Sequence, residues 1–293
     1  MVMRLPTSFA VSTFLKSSAV LAVALAASAH AAVVTLPQST LRSSPGVYTA
    51  GGYYTTTLGP NIVTTGGGSA ANVGQADGRN DDGFMALNLG FNFTLYGSTY
   101  SSLFINNNGN VSFGSGISSY VPSGPTGANA PLISVFFSDV DTRNASSGVV
   151  HYNLSANELV VTWDNVGRYA AQAVPPSNSF QLVLRSDAFV LPSGEGQIGF
   201  FYEEMDWEVT QTSTTGAVGF GDGAGDATVI AGSNAAGMNN VVENRYIWFN
   251  ANLTPTCGVP GTPDCPTTVP EPGSLALVTL AGTALLLMRR RRR

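Results

Sequence analysis

From residue 84 to residue 250 short apolar runs alternate with clusters of Gly, Asn, Ser and Pro, and the apolar positions recur with the period of a strand. Leu87, Leu89, Phe91, Phe93 and Leu95 take every second position, with Asn88, Gly90, Asn92 and Thr94 between them. That pattern predicts a strand with one apolar face and one polar face. Leu103 and Ile105 lead into Asn108-Gly109 and then Val111 and Phe113, a hairpin whose Asn-Gly pair tolerates positive φ. The run 132–137, apolar apart from Ser134, predicts a strand buried on both sides, and 149–152 and 159–163 predict a hairpin around residues 155–158. Further strands are predicted at 180–184, 198–202, 217–220 and 246–249. Residues 33–79 show weaker alternation and read as peripheral strands and loops of the same domain. The expectation is a single all-β domain, sandwich-like or barrel-like, over residues 32–252, with little helix.

The two ends of the 293-residue chain read differently. Arg4 and Lys16 accompany an apolar stretch at 19–27, and Ala29 and Ala31 sit at the two small-residue positions of a signal-peptidase site, so residues 1–31 are expected to be a cleaved signal peptide. At the other end, residues 253–269 form a Pro/Gly-rich linker, and residues 270–293 carry Pro270-Glu271-Pro272, an uncharged segment at 274–288 and five arginines. That segment would make a helix of about 22 Å, short for a hydrocarbon core of about 30 Å. The arginines are expected to stay on the cytoplasmic side.

Composition narrows the function. Of 13 basic residues, seven lie in the two terminal segments, and of 18 acids only Glu271 does. The intervening chain therefore holds six arginines, no lysine and 17 acids, a formal charge of −11. Such a balance argues against nucleic acid as a partner. Cys257 and Cys265 lie in the linker, where an oxidising compartment would let them close a small disulfide loop. Apart from His30 in the leader, His151 is the one histidine, so neither a Ser-His-acid triad nor a zinc site of several His or Cys ligands is expected. Glu203, Glu204, Asp206 and Glu208 offer a carboxylate pair for glycoside hydrolysis, with a solvated strand end as the plainer role. Exposed aromatics such as Tyr53, Tyr54 and Trp207 would suit a carbohydrate-binding module. The candidate metal ligands are Asp139, Asp141 and Asn144, set to converge on calcium at a strand end. The plainer role for Asp139 is to cap a turn and pair with Arg143.

Two resemblances add to this reading. Pro270-Glu271-Pro272, the apolar segment and the terminal arginines resemble the PEP-CTERM sorting signal of Gram-negative bacteria. That resemblance implies cleavage by an exosortase, transient insertion in the inner membrane, and delivery to the cell surface or an exopolysaccharide matrix. In the body, Leu89-Gly90-Phe91-Asn92-Phe93, the run 104–113 around Asn106-Asn107-Asn108-Gly109, and 131–143 ending Asp139-Val140-Asp141-Thr142-Arg143 are similar to a nidogen-like (NIDO) domain. Gly148 to Tyr152, Phe180 to Leu184, Asp206-Trp207 and Ala217 to Gly223 follow in that family's order, so the resemblance spans residues 84–250. It implies an extracellular module associated with adhesion and matrix assembly and without catalytic activity.

Overall fold

The computed structural model describes residues 33–43, 58–64 and 77–251. Fourteen strands are described: β1 (Val33–Leu36), β2 (Arg42–Ser43), β3 (Asn61–Ile62), β4 (Phe84–Leu95), β5 (Ser98–Asn106), β6 (Asn110–Ser112), β7 (Leu132–Phe137), β8 (Val150–Leu154), β9 (Glu158–Val166), β10 (Asn178–Arg185), β11 (Ile198–Met205), β12 (Ala217–Gly221), β13 (Ala227–Ile230) and β14 (Arg245–Phe249). One short α-helix, α1 (Met238–Val242), precedes β14, and a 3-10 turn at Gln38–Thr40 lies between β1 and β2. The strands form two seven-stranded sheets, ordered β1-β13-β12-β7-β6-β5-β4 and β2-β14-β11-β10-β9-β8-β3. Each sheet is open at both ends, which decides for the sandwich and against the barrel.

The predicted strands are present, and burial explains their patterns. In β4, Leu89, Phe91, Phe93 and Leu95 are buried while Asn88, Gly90 and Asn92 are exposed. The register of β4 on β5 slips between Asn88 and Phe93, where Gly90 takes a φ of +71°. All six residues of β7 and all eight of β10 are buried, because each is a central strand with neighbours on both sides. The described residues ahead of β4 supply edges: β1 joins β13 in parallel, while β2 and β3 close the two ends of the second sheet. Sequence reading missed β13, whose four residues follow directly on an acidic turn, and α1, too short to show helical periodicity.

Between the sheets lies one apolar core. Trp163 of β9 stacks on Phe180 of β10 at 5.1 Å, Phe136 of β7 meets Phe180 at 5.8 Å, and Phe220 of β12 meets Phe249 of β14 edge-on at 5.1 Å. Two polar links cross this core. The Tyr202 hydroxyl donates to the Val135 carbonyl at 2.7 Å, and the Trp163 indole N–H donates to the Asn107 carbonyl at 2.9 Å. Tyr202→Phe is expected to lower stability by about 1–2 kcal/mol, since it removes a buried donor and keeps the ring. Urea unfolding checks this, and an unchanged midpoint would mean the hydroxyl contributes nothing.

The signal-peptidase positions Ala29 and Ala31, Cys257, Cys265 and Pro270-Glu271-Pro272 lie outside the described residues. Among the described residues no helix is long and apolar enough to cross a membrane.

Candidate functional site

Strand register gathers five loops at one end of the sandwich. The start of β4 pairs with the end of β5 (Phe84 with Asn106), and the end of β5 with the start of β6 (Asn106 with Asn110). The end of β7 pairs with the start of β12 (Phe137 with Ala217). In the facing sheet the end of β9, the start of β10 and the end of β11 align through Val166, Asn178 and Met205. The segments 77–83, 107–109, 138–149, 167–177 and 206–216 therefore share that end.

The asparagine turn and the aspartate-rich loop prove to be one unit. The Asn107 side-chain amide donates to the Val140 carbonyl at 2.6 Å, and the Val140 N–H donates to the Asn108 side-chain oxygen at 2.9 Å. The Phe136 N–H donates to the Gly109 carbonyl. Arg79 holds the same loop from the other side. Its guanidinium donates to the carbonyls of Thr142, Asn144, Ser147 and Ala145 at 2.6–3.2 Å. Beside it, the Asn80 N–H donates to the Thr142 hydroxyl and the Thr142 N–H to the Asn80 carbonyl, both at 2.8 Å. These bonds satisfy backbone groups that a loop buried this deeply would otherwise leave unpaired.

Inside this frame sits a carboxylate cluster. One carboxylate oxygen each from Asp81, Asp82 and Asp139 lies within 4.8 Å of the others. Asp81 and Asp139 are buried and Asp82 is half-buried. Asp82 accepts from the Asn108 amide at 2.9 Å, and Asp139 accepts from the Thr212 hydroxyl through Oδ2. Burial first, then repulsion from Asp141, pushes the Asp81 carboxyl up to about 7. Burial likewise pushes Asp139 up to about 6 and raises Asp82. Arg143 answers part of this charge, 3.0 Å from Asp81 Oδ2 and paired through two nitrogens with Asp141.

Of the three residues expected to hold calcium, only Asp139 stands in this cluster. Asp141 gives Oδ1 to the backbone N–H and Nε of Arg143, and Oδ2 to Arg143 Nη2 and the Ala171 N–H. The Asn144 side-chain oxygen accepts from the N–H and hydroxyl of Ser146. Arg143 pairs with Asp141 and Asp81, where sequence paired it with Asp139. The missed members, Arg79, Asp81 and Asp82, had a visible signal: charged residues packed directly ahead of the first long strand in a chain poor in charge.

Other candidates take structural roles. Glu208 is buried and accepts the Gly237 and Asn239 N–H groups at the start of α1. Glu204 accepts from the Ser177 hydroxyl at 3.3 Å. Trp207, expected to be exposed, is buried with its N–H on the Val166 carbonyl at 3.0 Å, which corrects its reading as a sugar platform. Tyr53 and Tyr54 lie outside the described residues. His151, half-buried in β8, has its pKa lowered by desolvation. Asp222 closes its own turn, accepting the N–H groups of Ala224, Gly225 and Asp226.

The fold and its loop end define an all-β sandwich module whose polar apparatus is concentrated in buried inter-strand loops. A family model described as NIDO related matches residues 52–257, and the chain belongs to that family. Among curated proteins it is similar to alpha-tectorin of Gallus gallus, 28% identical over 191 residues that cover 55% of this chain and 8% of that protein. Alpha-tectorins of Mus musculus and Homo sapiens are each 28% identical over 193 residues, with the same coverage. The chain thus matches only a small part of these relatives' length. No solved structure matches.

Proposed function

We propose that this is a non-catalytic exported protein that works at the cell surface or in the surrounding matrix, mediating adhesion or matrix assembly through its NIDO-related domain. The observation that carries this reading is the family match over 52–257, with alpha-tectorin among the relatives. The acids that would serve a glycosidase support it as well, since Glu208 is committed to capping a helix and Glu204 accepts a bond from Ser177. The sorting tail extends the proposal: an exosortase cuts near Pro270-Glu271-Pro272 and releases the chain to the exterior of a Gram-negative cell, after a transient stay in the inner membrane. An exopolysaccharide or another matrix component is then the partner.

The test is to expose the protein to exopolysaccharide and matrix proteins from its own host, measuring retention and reducing-end release together. Retention with no new reducing ends is expected. Turnover that disappears in Glu204→Gln would replace this reading with a glycoside hydrolase. Intact mass of protein recovered from the host checks the tail: a mature chain ending near Pro272 is expected, and one still carrying the terminal arginines would leave a membrane anchor instead.

A further inference from the structure

We propose that Asp81, Asp82 and Asp139 form a calcium site that ties the segment ahead of β4 to the loop that follows β7. Calcium coordinates oxygen at about 2.3–2.6 Å, so ligands on opposite sides of one ion stand at most about 5 Å apart. The three carboxylates meet that limit, with one oxygen from each inside 4.8 Å of the others.

A second observation is independent of the clustering. Asp81 and Asp139 are more than nine-tenths buried, at 6% and 1% exposure, and Oδ1 of each is a buried atom with no hydrogen-bond partner. A buried carboxylate oxygen without a donor costs free energy, and neighbouring negative charge adds to it. The remaining oxygens of Asp81, Asp139 and Asp141 each have a donor. Asp81 Oδ2 has Arg143, Asp139 Oδ2 has Thr212, and both oxygens of Asp141 are taken. Oδ1 of Asp81 and Oδ1 of Asp139 thus belong to two residues that, with Asp82, satisfy a cation's geometry.

Charge and donor type identify the ligand. Among the described residues the ion pairs of Asp81, Asp82, Asp139 and Asp141 are those of Arg143 with Asp81 Oδ2 and Asp141, and the Arg79 guanidinium is taken up by backbone carbonyls. An all-oxygen donor set selects a hard cation over zinc or copper. Calcium suits it better than magnesium, which demands near-ideal octahedral geometry from its ligands. Half-exposed Asp82 provides the side from which the ion enters and water completes the coordination. The site stands whether or not the adhesion reading does.

The experiment is a calcium chloride titration of the chelator-treated full chain at pH 7.5, followed by calorimetry and by thermal unfolding, with magnesium chloride in parallel. One ion per chain is expected, with a Kd on the order of 0.1–1 mM as in extracellular modules, and a melting temperature that rises with calcium by mass action. Asp82→Asn is the chief variant, because its half-exposed position lets the fold survive. It should weaken binding at least tenfold, while exposed Asp206→Asn should leave it unchanged. Asp139→Asn, its fold checked by circular dichroism, should abolish binding. The absence of both binding heat and a melting shift at roughly 10 mM calcium, well above that range, would overturn the site. Undiminished binding by Asp82→Asn would place the ion elsewhere, and equal or stronger binding of magnesium would overturn the choice of calcium.

Discussion

Gly109→Ala is expected to lower stability by more than about 4 kcal/mol, enough to leave much of the protein unfolded, given that whole domains are stable by only about 5–15 kcal/mol. Gly109 sits in the β5–β6 turn with a φ of +76°. A Cβ there would stand 2.0 Å from the Phe136 carbonyl oxygen and 3.2 Å from the Phe180 ring. The obstacle is backbone of a central strand, so it cannot swing aside as a side chain would. Relief requires the turn to lift off β7, which breaks the Phe136-to-Gly109 bond and pulls Asn107 from Trp163 and Val140. Gly90→Ala is the control. Its φ is +71°, yet nothing lies within 4 Å of the added carbon, so it should cost only about 1–2 kcal/mol, the backbone strain alone. Urea unfolding of both variants separates strain from collision. Equal losses would show that the asparagine turn is not seated against β7.

These two glycines also show what a sequence can disclose. Positive φ at an Asn-Gly step follows from local chemistry, so the turn was legible. That Gly109 touches Phe136, 27 positions away, depends on the register of β6 on β7, which no local pattern states. The same division runs through the site. Strands β4, β7 and β10 were legible because apolar periodicity reports burial directly. Asp139 and Asp141 stood out by their spacing, yet spacing on one strand end did not tell which would turn toward Arg143. Asp81 and Asp82 join Asp139 across more than 50 residues, through loops whose path is set by Arg79 and Asn107. Trp207 misled for a related reason: it lies between Asp206 and Glu208 in sequence, and no local pattern states that its indole N–H turns inward to the Val166 carbonyl.

The asparagine turn and the aspartate loop resembled their family as separate pieces, and the structure joins them. The turn satisfies the loop's buried backbone: the Asn107 amide donates to the Val140 carbonyl, and the Asn108 side-chain oxygen accepts from the Val140 N–H. Asn108 also reaches Asp82, so the turn positions an acid it does not contain. A buried polar network of this kind gains only when every member is paired, which makes its weakest point the place to test it.

Arg143→Met is expected to destabilise the protein by about 3–5 kcal/mol, because it strips a guanidinium from a carboxylate that is fully buried. Asp141 keeps only backbone donors, and Asp81 loses its partner at 3.0 Å. The loss should depend on pH, and its sign follows from Asp81 and Asp139. Both carboxyls titrate higher in the folded chain than their ordinary 3.8, near 7 and near 6. Well below their ordinary 3.8 they are protonated in both states and incur no penalty; as pH rises the unfolded chain releases protons the folded chain retains, and stability falls until the folded values are passed. Arg143 lowers both values, so its removal should steepen that fall. Measured by urea unfolding with chelator present, the deficit of Arg143→Met should therefore be larger at pH 7.5 than at pH 5. A deficit equal at both pH values would mean that the guanidinium acts by packing, through its contact with the Tyr169 ring at 5.8 Å, and not by answering the carboxylates.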